Sequence, residues 1–523
     1  MITAWLLLAC NSGDPTPPDT ASERQVDVSD LIVPPYLQAP TPTSQWVLWI
    51  SDTDTESVVE WGYTPELGHS ATGTVDTDGL GLVHSVPLTG LTPDSRVYYR
   101  VATPTTVTET LSFRTPPEPG SETSFVLVAM SDMQRSDSWI GKFEEVVRQG
   151  VLPHVEATWP SQELPDALAA VLITGDLVDN GWFYQEWWDD FFLPASPLLQ
   201  HVNLLPVLGN HESNTPLYFR YFHLPDNATD GYEEHWWWVD HDSVRLIGLD
   251  SNDGYREQVQ LDWLSETLES ACEAPDLDFV IAQLHHPHQS ELWLSGNEDF
   301  TGEVIALLED FTERCGKPSV HLFGHTHGYS RGQSRDQRHL MVNVASAGGA
   351  LDPWSDSSIN YESYSVSESD WGFVTLEITG GDDPSLELVR ISRGDASETR
   401  ANVETDRIRI RLHDQPPETP TAVSGSDTEL VASAFVDPDG DLHGASHWQV
   451  ATDCESFETP VFDHWQHHED RFGGEDLAAG VDLTRQSLTG LTADTDYCWR
   501  VRYRDRGLSW SAWSSKELFR TSK

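Results

Sequence analysis

Hydrophobic and polar residues alternate along both ends of the chain. Between residues 31 and 117, short runs such as 46–50 and 97–101 are rich in β-branched and aromatic residues, and turn residues separate them. The stretch from 415 to 523 reads the same way. Alternation with a period of two, frequent turn signals and no helical period are typical of β-sandwiches. The pattern therefore predicts one all-β sandwich at each end of the chain.

One turn-and-strand pattern occurs in both of these stretches. The residues GLTPDS at 90–95 are followed by YRV at 99–101, and GLTADT at 490–495 is followed by WRV at 499–501. The same unit at matching places indicates that the two sandwiches are related modules.

The central part of the chain, from 122 to 400, follows a different pattern. Continuous apolar runs alternate with segments that carry a helical period, which predicts an α/β domain with largely parallel strands. The predicted helices include 139–149, 258–271 and 302–315. In such a domain the functional groups lie on loops at the carboxyl ends of the strands.

Each of five predicted strands ends in polar residues that can bind metals. In chain order, the strands are 125–130, 170–174, 203–208, 279–284 and 319–323. The polar residues that follow them are, in the same order, Asp132-Met133-Gln134, Gly175-Asp176, Gly209-Asn210-His211-Glu212, His285-His286-Pro287 and Gly324-His325-Thr326-His327. One Gly-Asp pair is a common turn and carries little weight. Five strand ends that deliver Asp, Asn and His to one edge are difficult to explain as structure alone, and they predict a metal site.

This ordered set of motifs resembles the calcineurin-like metallophosphoesterases, and the sandwich in front of it makes the layout similar to purple acid phosphatases. Both terminal sandwiches resemble fibronectin type III domains. The resemblance implies an α/β fold, a four-layer αββα catalytic sandwich, flanked by the two fibronectin-like modules. The expected segments are 1–30 (signal and linker), 31–117, 122–400 (catalytic) and 415–523.

The resemblance also implies a role for each site residue. Asp176 would bridge two metal ions and His211 would be the catalytic acid, while the other ligands divide into two sets. Asp132, Gln134 and His327 would hold one ion, and Asn210, His285 and His325 the other. Asp179, Glu212 and His286 would orient these ligands from behind.

Gln134 and Asp179 depart from the family pattern. Many members have His where this chain has Gln134, and purple acid phosphatases have a ligand Tyr where it has Asp179. Fe, Mn or Zn are the expected ions, but an amide oxygen makes one site oxygen-richer, so Mg or Ca is also possible beside Gln134. Without the Tyr, the purple colour is not expected.

The net charge of the chain limits the classes of molecule that it is expected to bind. With 85 acidic against 30 basic side chains the formal net charge is −55, which disfavours nucleic acids and anionic membranes. A small phosphate ester is the expected substrate, with monoesters favoured and diesters or nucleotides as the alternative. A different hypothesis, a degenerate phosphatase domain in a surface binding protein, is motivated by Gln134 and the extra sandwich.

The first residues predict export from a bacterial cell. A short apolar run ends in Leu7-Leu8-Ala9-Cys10, which resembles a lipoprotein processing site with Cys10 as the lipidated residue. The protein would then be attached to the outer membrane or cell surface through a lipid. An ordinary cleaved signal peptide, with a periplasmic or extracellular product, is the alternative. Elsewhere the chain has no apolar stretch near the ~20 residues that span a bilayer.

The four other cysteines suit an oxidising compartment. Cys272 and Cys315 each end a helix-like segment before an apolar run, so parallel neighbouring strands would bring them together. Cys454 and Cys498 share the last module. We expect two disulfides with these pairings, the alternative being four free thiols.

Overall fold

The computed structural model describes residues 25–523, so the predicted lipidation at Cys10 lies outside the described residues. The N-terminal module has eight strands: β1 (Leu31–Thr41), β2 (Ser44–Ser51), β3 (Val58–Gly62), β4 (His69–Thr72), β5 (Thr74–Asp76), β6 (Leu82–Thr89), β7 (Arg96–Val101) and β8 (Leu111–Arg114). The strands β1, β2, β6 and β5 face the sheet β4-β3-β7-β8. Inward residues such as Trp49, Tyr99 and Phe113 fill the space between the two sheets.

The central domain contains thirteen strands and most of the helices. Its strands are β9 (Phe125–Met130), β10 (Ala170–Ile173), β11 (Asn203–Pro206), β12 (Trp237–His241), β13 (Val244–Gly248), β14 (Phe279–Gln283), β15 (Ser319–Phe323), β16 (Tyr329–Gln333), β17 (His339–Asn343), β18 (Tyr364–Glu368), β19 (Trp371–Thr379), β20 (Ser385–Gly394) and β21 (Thr399–Arg411). Its helices are α1 (Lys142–Glu145), α2 (Leu152–Thr158), α3 (Leu164–Ala167), α4 (Tyr184–Glu186), α5 (Leu193–Leu199), α6 (Pro216–Tyr221), α7 (Gln258–Glu273) and α8 (Asp299–Cys315), with a 3₁₀ turn at Leu294–Gly296.

The C-terminal module is again built from short strands. They are β22 (Ala422–Gly425), β23 (Glu429–Ala432), β24 (His443–Ala451), β25 (Phe462–His467), β26 (Arg471–Phe472), β27 (Glu475–Asp476), β28 (Arg485–Ser487), β29 (Asp496–Asp505) and β30 (Glu517–Arg520). A three-stranded sheet, β22-β23-β28, faces a four-stranded one, β25-β24-β29-β30. Trp448 and Trp499 are fully buried between them.

Two large sheets form the middle of the molecule. The first runs β21-β20-β19-β9-β10-β11 and continues into β1-β2-β6-β5, and the second runs β12-β13-β14-β15-β17-β16-β18-β26-β27. Apolar residues of both sheets, among them Leu172 and Ile281, belong to one buried cluster. The α1–α2 helix packs on β19 and α5 packs on β1, while α7 and α8 pack on the outer face of the second sheet. The predicted αββα layering is therefore present.

Both flanking modules are continuous with these central sheets. Strand β1 pairs in parallel with β11, with Leu37 opposite Asn203, and β26 pairs in parallel with β18, with Val366 opposite Arg471. The catalytic sheet also extends past residue 400, because β21 pairs with β20 as far as Arg411. The three parts of the chain thus share sheets rather than only touching at their surfaces.

The first long helix differs from the expectation of 139–149. It begins at Lys142 and passes through a π-helical turn, Val146–Val151, into α2, which ends at Thr158. A second π turn, Trp187–Phe192, joins α4 to α5. Each π turn stands just before a proline, Pro153 or Pro194. Proline lacks an N–H and its ring displaces the carbonyl four residues back, so a wider turn lets the helix continue.

The repeated turn has the same geometry in both modules. Gly90 and Gly490 have φ of 70° and 76°, and the N–H of Ser95 or Thr495 donates to the hydroxyl of Thr115 or Thr521 at 2.9 Å. The hydroxyl of Tyr497 accepts a hydrogen bond from the N–H of Thr492 at 3.0 Å. In the first module the equivalent hydrogen bond is accepted by a tyrosine of another segment: the N–H of Thr92 donates to the hydroxyl of Tyr63 at 2.9 Å.

Both expected disulfides are present. Cys272 and Cys315, with Cα atoms 5.5 Å apart, join the ends of α7 and α8. Cys454 and Cys498, 5.6 Å apart, join a loop of the C-terminal module to β29. Among the helices of residues 25–523, none combines the length and apolarity needed to cross a bilayer.

Candidate metal centre

The seven predicted metal ligands lie at the carboxyl ends of five strands of the two central sheets. Asp132 and Gln134 follow β9, Asp176 follows β10, Asn210 follows β11, His285 follows β14, and His325 and His327 follow β15. The side chains of Asp132, Asp176 and His285 place ligand atoms within 4.8 Å of one another, and so do those of His285, His286 and His325. The structure therefore brings residues that are up to 195 positions apart, from Asp132 to His327, to one edge.

Three of these ligands have strained backbones. Asp132, Asp176 and His325 have φ of 58°, 52° and 70°, in the left-handed region that residues with a Cβ seldom adopt. The N–H of Met133 donates to the Asp176 carbonyl at 2.9 Å and so ties two of the strained turns together. Strain of this kind concentrates where function requires a particular side-chain direction.

Two glycines allow the ligand-bearing turns to pack closely. A Cβ on Gly209 would collide with the backbone nitrogen and the carboxylate of Asp176, and one on Gly324 would collide with Ser131 Oγ and Asp132 Oδ2. The glycines of the Gly-Asn-His and Gly-His-x-His motifs therefore make room for the carboxylates.

The first ligand group surrounds Nε2 of His327. The ring's Nδ1 donates to the carbonyl of Ala350 at 2.6 Å, so the neutral imidazole presents a lone pair at Nε2. Asp132 Oδ1 lies 3.1 Å from that atom and the side-chain amide nitrogen of Gln134 lies 3.0 Å from it. A half-turn of the amide exchanges its nitrogen for Oε1. Asp132 Oδ1 and Gln134 Oε1 are buried and accept no hydrogen bond from any described residue, as expected of atoms placed to bind a cation.

The second ligand group surrounds Nε2 of His285. Here Nδ1 donates to the carbonyl of Thr174 at 2.8 Å, again leaving a lone pair at Nε2. Around it lie Asn210 Oδ1 at 3.0 Å, His325 Nδ1 at 3.2 Å and Asp176 Oδ2 at 3.3 Å. Several acceptor atoms that face one another suit a metal ion and do not suit a hydrogen-bonded core.

Asp176 stands between the two groups. It is 1% exposed, its Oδ2 faces His285, and its Oδ1 accepts the N–H of His211 at 2.9 Å. A carboxylate in this position can bind one ion with each oxygen, as in two-metal sites whose ions are ~3.5–4 Å apart. The residues present therefore fit a dinuclear centre.

The pKa values of the ligands reflect this concentration of charge. Burial lowers the pKa of His285 and His327, but Asp176 and Asp132 respectively more than offset it and raise both to about 9. Burial and the neighbouring His285 lower the pKa of His325 to about 4. Burial opposes ionisation of Asp132, yet His327 and His285 hold its pKa well below the usual range. In the metal-free protein, protons on the two histidines take the place of the cations, so metal binding releases them.

His211, the predicted acid, lies beside the second group. Its Nδ1 donates to the Asp179 carbonyl at 2.6 Å, and its Nε2 lies 3.9 Å from Asp176 Oδ2. Burial lowers the pKa of His211, but Asp176 outweighs it and the net shift is upward. A third of the side chain is exposed, at 34%, so a protonated Nε2 can reach a bound molecule.

The three predicted supporting residues occupy different places. Glu212 is fully buried and accepts the N–H groups of Asp176, Leu177 and Gly209 at 2.7–2.9 Å; burial, and then Asp176, raise its pKa to about 7. The ring of His286 packs 4.4 Å from that of His325. The Asp179 side chain is 57% exposed and lies 3.6 Å from His211, so Asp179 orients His211 chiefly through its carbonyl.

Two further residues hold the ligands, and the motifs did not reveal them. The hydroxyl of Ser251 accepts the N–H groups of His285 and His286 at 3.1 and 2.9 Å. Asp352 accepts the N–H of His327 at 2.8 Å. Ser251 lies just after β13, so it could have been found as another polar residue at the end of a buried strand. Asp352 lies in an irregular loop, where no sequence pattern marks it as a partner of His327.

An aromatic residue stands at the rim of the centre. The ring of Trp293 lies 5.2 Å from that of His325 and is 42% exposed. The sequence also has tryptophans side by side at 187–188 and at 236–238. These are largely internal, since Trp187, Trp236 and Trp237 are fully buried.

Comparisons with known proteins agree with this geometry. The family model of calcineurin-like phosphoesterases matches residues 125–329, and that of the purple acid phosphatase N-terminal domain matches residues 33–115. These two ranges contain all seven ligands and most of the first module.

A relative and two solved structures cover more of the chain. Purple acid phosphatase 23 of Arabidopsis thaliana is 22% identical in an alignment 381 residues long, which covers 61% of this chain and 78% of the relative. The structure of purple acid phosphatase PPD1 from yellow lupin (Lupinus luteus) has a TM-score of 0.57 at 17% identity, covering 72% of this chain and 73% of the other. The structure of PhoD has a TM-score of 0.56 at 10% identity, covering 74% and 92%. At these identities the solved structures establish a shared fold.

Proposed function

Because residues 125–329 belong to the calcineurin-like phosphoesterases and residues 33–115 form a purple acid phosphatase N-terminal domain, we propose that this phosphoric ester hydrolase acts on phosphomonoesters with two metal ions bound around Asp176. The observation that carries the proposal is the pair of acceptor-lined groups that share this carboxylate. Asp132, Gln134 and His327 would hold one ion, and Asn210, His285 and His325 the other.

When bound, the two ions would supply Lewis-acid polarisation of the phosphate and activation of water at neutral pH. The chain's own residues hold the ligand side chains in fixed positions. The carbonyls of Thr174 and Ala350 fix the ring positions of His285 and His327, so their Nε2 atoms face the carboxylates. Glu212 holds the Asp176 turn through three backbone N–H groups. Ligands fixed in this way need little reorganisation during the reaction.

His211 supplies the proton for the departing alcohol. Because Nδ1–H is bonded to the Asp179 carbonyl, Nε2 is the atom that donates. Asp176 raises the pKa of this histidine, which keeps the ring protonated over a wider pH range. General acid catalysis of this kind contributes about 10²–10⁴-fold.

Monoesters are favoured because of the domain layout: a purple acid phosphatase N-terminal domain precedes the catalytic domain. Phosphodiesters or nucleotides are the alternative, and the exposed ring of Trp293 beside His325 is the feature that would suit a base or aryl group. A degenerate binding protein accounts poorly for a complete set of converging ligands.

The cellular location belongs to the same proposal. The segment ending in Cys10, together with the Cys272–Cys315 and Cys454–Cys498 disulfides, supports an exported protein held at the bacterial surface by a lipid. The alternative is a free periplasmic or extracellular enzyme.

A direct test strips the purified protein of metal with a chelator and restores Mn, Fe, Zn, Mg or Ca one at a time. Turnover is then measured on 4-nitrophenyl phosphate and on bis(4-nitrophenyl) phosphate. We expect activity to vanish with the chelator and to return with a transition metal, with the monoester the better substrate. Turnover that survives chelation, or none with any metal, would overturn the proposal, and a better diester rate would reassign the substrate class.

A further inference from the structure

A second group of carboxylates lies far along the chain from the metal centre, where the catalytic domain joins the C-terminal module. It comprises Asp414 in the linker after β21, Asp437, Asp439 and Asp441 in the loop between β23 and β24, and Asp505 at the end of β29; we refer to it as the acidic cluster. One oxygen each of Asp414, Asp439 and Asp441 lies within 4.8 Å of the others. The linker and the loop between β23 and β24 therefore meet at these carboxylates.

Asp505 gives independent evidence of a missing partner. It is only 1% exposed. Its Oδ1 accepts the N–H of Ser509 at 2.9 Å, but its buried Oδ2 accepts no hydrogen bond from any residue of 25–523. A Cβ on Gly507 would lie 3.0 Å from Asp414 Oδ2 and 3.2 Å from Asp505 Oδ1, so the two carboxylates converge over this glycine. A buried carboxylate oxygen without a donor destabilises the fold unless a cation or a proton satisfies it.

Asp437, in the loop between β23 and β24, likewise has one hydrogen-bonded oxygen and one without a partner. Its Oδ1 accepts the N–H groups of Asp439 and Asp441 at 2.9 and 3.0 Å, while its Oδ2 is buried and lacks a donor within the described chain. Burial, followed by the charge of Asp414, raises the pKa of Asp505 to about 8. Without a cation, Asp505 must therefore take up a proton or be repelled by its neighbours.

The neighbouring arginines leave this repulsion largely uncompensated. Arg504 donates to the carbonyls of Leu508, Ser334 and Gln337, and Arg338 donates to those of Arg411, Gly316 and Leu412. Among the arginines of residues 25–523 only Arg411 contacts the cluster, at 3.2 Å from Asp441 and 3.7 Å from Asp439. Gln415 donates its backbone and side-chain N–H groups to Asp439 at 2.8 Å. No donor reaches Asp505 Oδ2 or Asp437 Oδ2 among the described residues.

We propose that the acidic cluster binds one calcium ion, which fastens the linker after β21 to the C-terminal module. Calcium takes six to eight oxygen ligands in flexible geometry and favours carboxylates and carbonyls, whereas magnesium requires a tighter octahedron. A set made only of aspartate oxygens is hard and anionic, so it selects calcium over the softer transition metals. This ion is distinct from those around Asp176.

The test measures thermal unfolding of the full-length protein, with its metal centre first saturated with Mn²⁺, in about 5 mM CaCl₂ or MgCl₂, a concentration chosen for a millimolar-class site. We expect calcium to raise the Tm by roughly 5 °C and magnesium to have a much smaller effect. Asp453→Asn removes an exposed carboxylate of the same module and should leave the calcium shift unchanged.

Asp505→Asn separates calcium binding from simple damage to the fold. Without calcium this variant should be at least as stable as the unmodified protein, because asparagine needs neither a proton nor a cation to be neutral beside the other carboxylates, and it should lose the calcium-dependent shift. Asp414→Asn should behave in the same way. Both variants should keep full phosphatase activity, since neither residue touches the metal centre.

Calorimetric titration of the Mn²⁺-saturated protein with CaCl₂ should find one additional site per chain, absent from Asp505→Asn. The proposal is overturned if calcium does not stabilise the unmodified protein, or if Asp505→Asn keeps the same shift. It is also overturned if lowering the pH stabilises the cluster while calcium does not, since a shared proton would then satisfy Asp505.

Discussion

Nε2 of His327 lies 3.1 Å from Oδ1 of Asp132, and in the neutral ring no hydrogen atom separates them, because Nδ1 carries the proton to the Ala350 carbonyl. Two acceptors this close, one of them a fully buried carboxylate, need a proton or a metal ion between them. The same relationship holds between His285 and Asp176. The metal centre therefore consists of two such pairs.

Gln134 should set the metal preference of the His327 site. Gln134→His introduces a softer nitrogen ligand, so this site should bind Zn²⁺ more tightly. Gln134→Ala should weaken the binding of one ion by at least about tenfold and leave the other in place. Metal content after dialysis, measured by elemental analysis, checks both variants. If Gln134→Ala retains both ions with unchanged affinity, Gln134 does not bind the metal.

His211→Asn should lower kcat by about 10²–10³ while both ions remain bound. A proton donor matters most for a poor leaving group, so the loss should be larger with an alkyl phosphate than with 4-nitrophenyl phosphate. The measurement is kcat for a series of monoesters with leaving groups of different pKa. His69→Asn, at an exposed position of the N-terminal module, is the matched control. An equal loss across the series would assign His211 to structure instead.

The strand ends were predictable because buried parallel strands appear in a sequence as continuous apolar runs. The polar residues after β9, β10, β11, β14 and β15 could therefore be assigned to one edge of the domain. The sequence could not reveal how Asp352 reaches His327, because it lies 25 positions further on, in an irregular loop that follows β16 and β17.

Other features depended on contacts between distant segments. The pairing of β26 with β18 joins residues more than 100 positions apart, and short strands of this kind carry almost no pattern of their own. Tyr63 could not be identified as the partner of the Thr92 turn, because it lies just after β3, 29 positions away in the chain. The sequence shows where the prolines are, but it does not show the π turns before Pro153 and Pro194, because these depend on how the helices pack.

Trp293→Ala should raise KM for aryl phosphates by roughly 3–10-fold and change kcat little, because an exposed ring beside His325 contributes to binding through stacking. Trp293→Phe should restore most of the affinity. The comparison of 4-nitrophenyl phosphate with a small alkyl phosphate checks this, since the alkyl ester lacks a ring to stack. An identical rise in KM for both esters would contradict a stacking role.

His84 should make the N-terminal module sensitive to acid. Its ring is fully buried, held by the hydroxyls of Ser51 and Ser57 at 2.8 Å, and burial lowers its pKa to about 4 against the opposing charge of Asp54. The unfolded chain, with an ordinary histidine pKa of ~6.5, therefore takes up the proton first. This contribution to stability is fully present above about pH 6.5 and is lost as the pH falls towards 4, by at most about 1.4 kcal/mol per pH unit.

The measurement is the Tm of His84→Gln and of the unmodified protein from about pH 7 to about pH 4.5, the window in which the linkage acts. Glutamine can bond to both hydroxyls but does not titrate. The Tm of the variant should fall less steeply on acidification, so the difference between the two proteins should shrink. A difference that stays constant with pH would show that His84 does not titrate in this window.

The most direct measurement of the central claim is the metal content and kcat/KM of the unmodified protein and of Asp176→Asn, determined on the same preparations. Two ions per chain are expected in the active protein. Asp176→Asn should lose at least one ion and at least about 10³-fold in kcat/KM, whereas Asp179→Asn, with its exposed side chain, should keep both ions. An Asp176→Asn protein that keeps both its metal and its turnover would contradict a dinuclear centre built around Asp176.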